Sequence, residues 1–325
     1  MLSNATRGIS GAHLGMMLWA LIVGLSFPAV GQITEGLPPL LLTAIRFATA
    51  ALAIWPLVRH EQDFWPQRPA LALYALMGLC LAGFFGTMFW AAHHATALSM
   101  ATLYVSVPLL AYCLGRGLDV ETRAGGLLAI LVLGAAGALA LAWAENGGGT
   151  LQFGIGEAAF FAGCVASALY PVLSKWGLAR GLLSGHAALR TLWSLLAGSV
   201  LIGLTGLLIE APRALSAMTL SDALLVAYLG VFSSGVTFWL LQRATAVLTP
   251  GAVTAYSYLV PFVSMVLLFF TTPSQIGWHW LPGSVLVVLA IALLLRRDAR
   301  MRSAQQRAQT PPNPSDTHEP AISAR

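Results

Sequence analysis

Two adjacent histidines, His93 and His94, stand in the segment FWAAHHATA at Phe89–Ala97. Neighbouring imidazoles could ligate a metal or pass a proton at neutral pH. The chain writes the segment again 149 positions later, as FWLLQRATA at Phe238–Ala246, with Gln242 and Arg243 where the histidines were. A metal pair that its own copy replaces with an amide and a guanidinium is better read as one helix end adapted to two surroundings. The other chemistry-bearing groups stand singly in apolar runs. Arg46 and Arg190 are cations inside such runs, where charge is costly and marks function by default. Both lie near a run's end, so snorkelling to the interface competes, and a structural role is favoured. Glu157 is the best carboxylate for proton coupling, with His94 as a second titratable candidate. Asp222 suits the first turn of a helix, where a negative charge meets the dipole. His186 reads as an interfacial hydrogen-bonding group. No GxSxG, HExxH, Walker or dinucleotide-binding motif is present, so no catalytic residue, metal or cofactor is expected.

The elements that position these residues follow from composition. Of 325 residues, 58% are hydrophobic and only 9% charged, with mean hydropathy +0.78. Soluble domains carry roughly 25% charged residues, so this surface cannot be covered for water. The apolar stretches recur along nearly the whole chain and are long enough to span a bilayer. Helix is the open choice, because hydrocarbon offers backbone groups no water and no barrel alternation is seen. Ten helices are expected, at about 12–33, 38–58, 69–91, 95–115, 123–144, 153–175, 185–209, 220–241, 250–271 and 276–295. Lys and Arg set the orientation. With the N-terminus inside, the inner loops hold Arg59, Arg68, Arg116, Arg123, Lys175, Arg180 and Arg243, and the outer loops only Arg213. Both termini are therefore expected in the cytoplasm. Cys80, Cys113 and Cys164 lie in separate apolar runs and read as packing residues. The formal net charge of +5 resides in loops and an arginine-rich tail, which suits anionic lipid rather than nucleic acid.

The doubled segment belongs to a longer repeat. Ser26–Val30 faces Leu169–Leu173, Ala44–Arg46 faces Ala188–Arg190, and Val107-Pro108 faces Val260-Pro261, at offsets of 143, 144 and 153. The order is kept and Arg, Pro and Trp take part. The chain thus divides into a repeat at 1–145, a second at 150–300, and a disordered tail at 301–325. Five spans per repeat is odd, so the second copy enters from the opposite side, the inverted plan of many secondary transporters. The expected fold is all-α and membrane-integral, ten helices in two inverted five-helix repeats. One departure from regularity stands out: Trp90 to Pro108 is 18 positions, Trp239 to Pro261 is 22.

Ten spans, the arginine in LLLTAIRFATAAL and the ATA…VP runs resemble the EamA group of the drug/metabolite transporter superfamily. The resemblance covers the chain to about Arg297. It implies an inner-membrane permease of small metabolites, often an exporter of amino acids or related compounds. It also implies a central cavity lined mainly by helices one, three, four, six, eight and nine. On those helices the residues themselves supply aromatic and hydroxyl groups: Trp19, Ser26, Phe89, Trp90, Tyr104, Ser106, Ser167, Tyr170, Phe238, Trp239, Tyr256 and Tyr258. Such a lining suits an amphipathic solute. Prolines 28, 108, 171 and 261 fall within spans and are expected to kink or break them. The expected partners are a small-molecule substrate and the lipid bilayer, with monomer and homodimer both open. A membrane enzyme or scaffold is disfavoured, as no polar catalytic cluster or soluble domain is evident. Within transport, multidrug and nucleotide-sugar carriage compete. Few cavity cations are available for phosphates, which tilts the reading to neutral or zwitterionic solutes. Without a buried carboxylate pair, facilitated or weakly coupled transport is expected.

Overall fold

The computed structural model describes residues 2–121, 125–145, 154–271 and 277–309. Among the described residues every regular element is helical. Ten helices are long and apolar enough to cross a membrane: α1 Gly8–Val30, α2 Pro39–Val58, α3 Arg68–Ala91, α4 Ala97–Gly117, α5 Gly125–Glu145, α6 Ile155–Ala179, α7 Ala187–Ile209, α8 Leu220–Val247, α9 Pro250–Thr271 and α10 Trp278–Met301. The expected spans are all present. Three run four or more residues past their expected ends, α6 among them at Ala179. α8 continues through Val247, and the helix of α10 continues to Gln309, so the expected disordered tail begins as helix. The reason is packing. Gln242 and Thr245 near the end of α8, and Asp298 beyond the apolar part of α10, are all buried. The prolines of the tail, Pro311, Pro312, Pro314 and Pro320, and Arg123 lie outside the described residues.

The helices pack α2 on α7, α3 on α6 and α7, α1 on α8 and α9, α4 on α6, α2 on the middle of α8, and α5 on α10. Lipid tails offer no hydrophobic drive to associate, so close approach is what holds such pairs. Gly78 of α3 lies so near the backbone of Ala197 and Gly198 in α7 that a methyl group there would sit 2.7 Å from main-chain atoms. Gly283 of α10 meets the Gly137 carbonyl of α5 in the same way.

The four prolines behave as two pairs. Pro28 and Pro171 sit inside continuous helices. Pro108 and Pro261 instead open new helical segments, Val107–Gly117 and Leu259–Thr271. α4 is interrupted between Tyr104 and Val107, and α9 passes through a tight 3-10 turn at Ala255–Tyr258. A proline needs no N–H in a helix's first turn, so it costs least there. α8 is irregular too: Leu229–Val236 is wound as π-helix.

Candidate functional site

The doubled segment takes two conformations. In the first copy the helix stops at Ala91, and the two histidines turn back on it. The ring Nδ1 of His93 lies 3.1 Å from the Phe89 carbonyl and that of His94 2.8 Å from the Trp90 carbonyl. Both rings thus lie against carbonyls of the helix's last turn, where backbone acceptors run short of intrahelical partners. Trp90, 41% exposed, stacks on His94 at 4.1 Å. In the second copy all of Phe238–Ala246 is helical. The shared letters are therefore not a shared helix end, which corrects the sequence reading. The shortfall of four residues is taken up at the end of α3 rather than within α4. Neither histidine joins a metal-binding group, and among the described residues no cluster of three metal-ligating side chains occurs.

Gln242 explains why α8 goes on. Its Oε1 accepts from Ser174 Oγ at 2.6 Å and from Arg190 Nε at 3.1 Å, and its Nε2 donates to Tyr170 Oη at 2.8 Å. Arg190 also donates to the carbonyls of Gln242 and Ser184, both at 2.6 Å. Tyr170 Oη further meets Ser194 Oγ at 2.8 Å. Arg190 is 0% exposed, so it does not snorkel. Its donors are taken up in a network joining α6, α7 and α8. Tyr170, expected to line the cavity, is sealed into that network.

Arg46, the repeat partner of Arg190, is held otherwise. Its one hydrogen bond among the described residues runs from Nη2 to Ser234 Oγ at 3.3 Å. Its Nε is buried with no partner, and its guanidinium carbon stands 6.0 Å from the centre of the Phe85 ring. Behind Phe85 the aromatic contacts continue: Phe47 meets Phe85 edge-on at 5.3 Å and Phe238 at 6.1 Å. Phe89 and Trp19 are half-buried against the same core. Trp239 lies under the guanidinium of Arg243 at 5.6 Å.

The remaining expected lining residues are partly engaged. Ser26 and Ser106 donate to carbonyls of their own helices, Ile22 and Leu103, each at 2.6 Å. Tyr104 interacts with Ser167 across α4 and α6. Tyr258 is buried with its hydroxyl unpartnered. Tyr256 is fully buried and its hydroxyl meets His13 Nδ1 at 2.7 Å. The far nitrogen of His13 faces Asp298 Oδ2 at 3.3 Å, and Asp298 also pairs with Arg297 at 3.1 Å. This chain of contacts joins α1, α9 and α10 at the end of the bundle that carries the termini. A cavity of about 230 Å³ opens there, lined by Ser10, His13, Leu14, Met17 and Leu295. Sequence reasoning missed His13 and Asp298, because both fell outside or at the edge of the expected spans.

Carboxylates end up as helix caps. Glu157 Oε2 accepts from the Gly154 N–H at 2.9 Å, which ties it to the start of α6. Asp222 accepts from Thr219 and from both the N–H and hydroxyl of Thr34, each at 2.9 Å for Thr34. Glu210 accepts from the N–H groups of Leu40 and Leu41 at 2.8 and 3.0 Å, capping α2 from the other half of the chain. Helix N-termini expose such donors and favour negative charge. His186 faces Glu61 at 3.6 Å on the surface.

Ten helices among the described residues long and apolar enough to span, two of them interrupted near mid-span and one π-wound, with buried cations between them, define a multi-span membrane protein. Comparison with known proteins narrows the class. Residues 154–296 match the model of the EamA-like transporter family. Over 272 residues, 80% of this chain and 83% of the relative, the sequence is 28% identical to the uncharacterized inner membrane transporter YedA of Escherichia coli strain K12. YedA of Escherichia coli O157:H7 matches equally. A protein crystal structure 21% identical in sequence superposes with a TM-score of 0.73, covering 94% of this chain and 99% of that one. The resemblance read from the sequence is thereby borne out in its second half, where residues 154–296 carry the EamA-like match, and in the similarity to YedA over most of the chain.

Proposed function

We propose that this protein is an inner-membrane transporter of small metabolites, amino acids or related zwitterionic and amphipathic compounds, working by alternating access. Both termini face the cytoplasm, and the two halves, 1–145 and 150–300, are inverted copies. The observation that carries this reading is the packing. Exchanging each helix for the one five further along maps the pairs onto one another: α3 on α6 becomes α8 on α1, α4 on α6 becomes α9 on α1, and α3 on α7 becomes α8 on α2. The pairs α2 on α7 and α5 on α10 map onto themselves. Such an arrangement lets either half rock against the other around a central site. The interrupted helices α4 and α9 are exchange partners, as are Pro108 and Pro261.

The test is uptake by proteoliposomes of a labelled panel of amino acids, amines and drugs, with and without a pH gradient. Saturable uptake of an amino acid is expected. Uptake only of hydrophobic cations would favour multidrug carriage instead. With Glu157 engaged as a cap, Glu157→Gln is expected to leave any dependence on the gradient in place.

A further inference from the structure

The repeat wrote an intramembrane arginine twice, and only one copy is satisfied. Arg190 has its guanidinium bonded to Gln242 and Ser184 through three N–H groups. Arg46 is 9% exposed and makes one long bond, to a serine hydroxyl, with Nε left bare. A guanidinium carries five donors and is always charged. If the role of both were structural, Arg46 would have acquired an acceptor as Arg190 did. The helices around it cannot supply a counter-ion: α2, α3 and α7 contain no Asp or Glu. The one carboxylate of α8, Asp222, is committed to Thr34 and Thr219.

Three features converge at this cation. Ser234, its partner, lies in the π-wound segment Leu229–Val236. Such segments mark functional sites because the wider turn disturbs the regular hydrogen bonding. The Phe85 ring lies 6.0 Å from the guanidinium carbon and is backed by Phe47, which in turn meets Phe238. The position, eight residues into α2, is within the membrane span.

We infer that Arg46 is the anion-binding group of the transport site and takes the carboxylate of a small zwitterionic or monoanionic solute. The inference rests on the transporter reading and deepens it by naming the recognised group. A guanidinium pairs with a carboxylate through two parallel hydrogen bonds, and Nε with a terminal nitrogen forms one such fork. One cation balances one negative charge. A phosphate dianion would leave a charge uncompensated in a low-dielectric site, because the second buried arginine is already consumed.

The experiment uses detergent-purified full-length protein and thermal unfolding. The probes are the twenty standard L-amino acids, inorganic phosphate and, for each amino acid that stabilises, its carboxamide. At least one amino acid is expected to raise the midpoint, with the carboxamide needing at least tenfold higher concentration. Arg46→Gln should abolish the shift and Arg46→Lys retain a weakened one. This wild-type comparison of acid and amide does not depend on any variant folding, and Ser234→Ala offers a variant that keeps the charge. Equal effects of acid and amide overturn the inference, as do undiminished shifts in Arg46→Gln, larger shifts with phosphate, or no shift with any amino acid. Liposomes separate the two levels. Uptake indifferent to Arg46→Gln keeps the transporter and sinks the anion site. Amino-acid binding without uptake of any panel solute keeps the site and sinks the transporter.

Discussion

Arg190 and Gln242 form a unit in which each side chain satisfies the other, with Tyr170, Ser174 and Ser194 completing it. A buried charge that loses its partners is strongly destabilising, commonly by about 3–5 kcal/mol. Arg190→Lys is therefore expected to lower thermal stability sharply, since one ammonium cannot serve three acceptors in the guanidinium's geometry. Gln242→Ala should do the same by stranding both Arg190 and Tyr170. Arg46→Lys, with only one weak bond to lose, should change the unfolding midpoint little. A stability loss at Arg46 equal to that at Arg190 would contradict this. At the other end of the same scale, Tyr256→Phe removes the hydroxyl facing His13. A hydrogen bond of this kind contributes about 1 kcal/mol. Denaturation of the purified variant should show a loss of that order, and His13→Phe combined with it should cost less than the sum of the single changes.

At the scale of the element, helix ends are decided by what side chains do with free backbone groups. α3 ends where His93 and His94 turn back to carbonyls of their own last turn, and α8 goes on because Gln242 has buried work to do. The letters around these residues are the same, so the difference lies in two side chains and their neighbours. Close helix approach supplies the other determinant. Gly78→Val would drive side-chain atoms into the main chain of α7 at Ala197 and Gly198, where nothing flexible can yield. Overpacking costs about 1–3 kcal/mol in well-packed cores. The expected result is a lower unfolding midpoint with α3 and α7 forced apart, checked by a reduced cross-linking yield between cysteines placed on the two helices. Valine at Gly86, beside which an added Cβ meets nothing, serves as the tolerated control.

The whole molecule is a bundle whose two halves interlock rather than stand side by side. Glu210 of the second half caps α2 of the first, Asp222 holds Thr34, and the Gly251 N–H of α9 donates to Glu121 at 2.9 Å. The halves are not expected to fold independently, and expression of 1–145 alone should give no stable monomer by size-exclusion chromatography. Orientation is testable at this scale. In a background without Cys80, Cys113 and Cys164, a cysteine at exposed Glu35 should react with an impermeant thiol reagent on intact cells. One at exposed Gln62 should react only after permeabilisation. The reverse pattern would overturn the placement of both termini in the cytoplasm.

Hydrophobic run length and the scarcity of charge were enough to read ten spanning helices from the residues alone, because hydrocarbon forces every backbone group into a helix of predictable length. The collinear repeat of Trp, Arg and Pro likewise pointed to the family resemblance. Side-chain fate was not legible in the same way. Glu157 looked like a coupling carboxylate and is a cap, because whether a first-turn carboxylate meets solvent or its own helix depends on local backbone geometry. Tyr170 and Tyr256 looked like cavity walls and are buried hydrogen-bond partners. Which of two repeat-related arginines is satisfied, and that His13 faces Asp298 across 285 positions of sequence, follow only from helices brought together in three dimensions. A one-dimensional pattern records how far apart residues are along the chain. Only packing determines which donors and acceptors are left to complete one another.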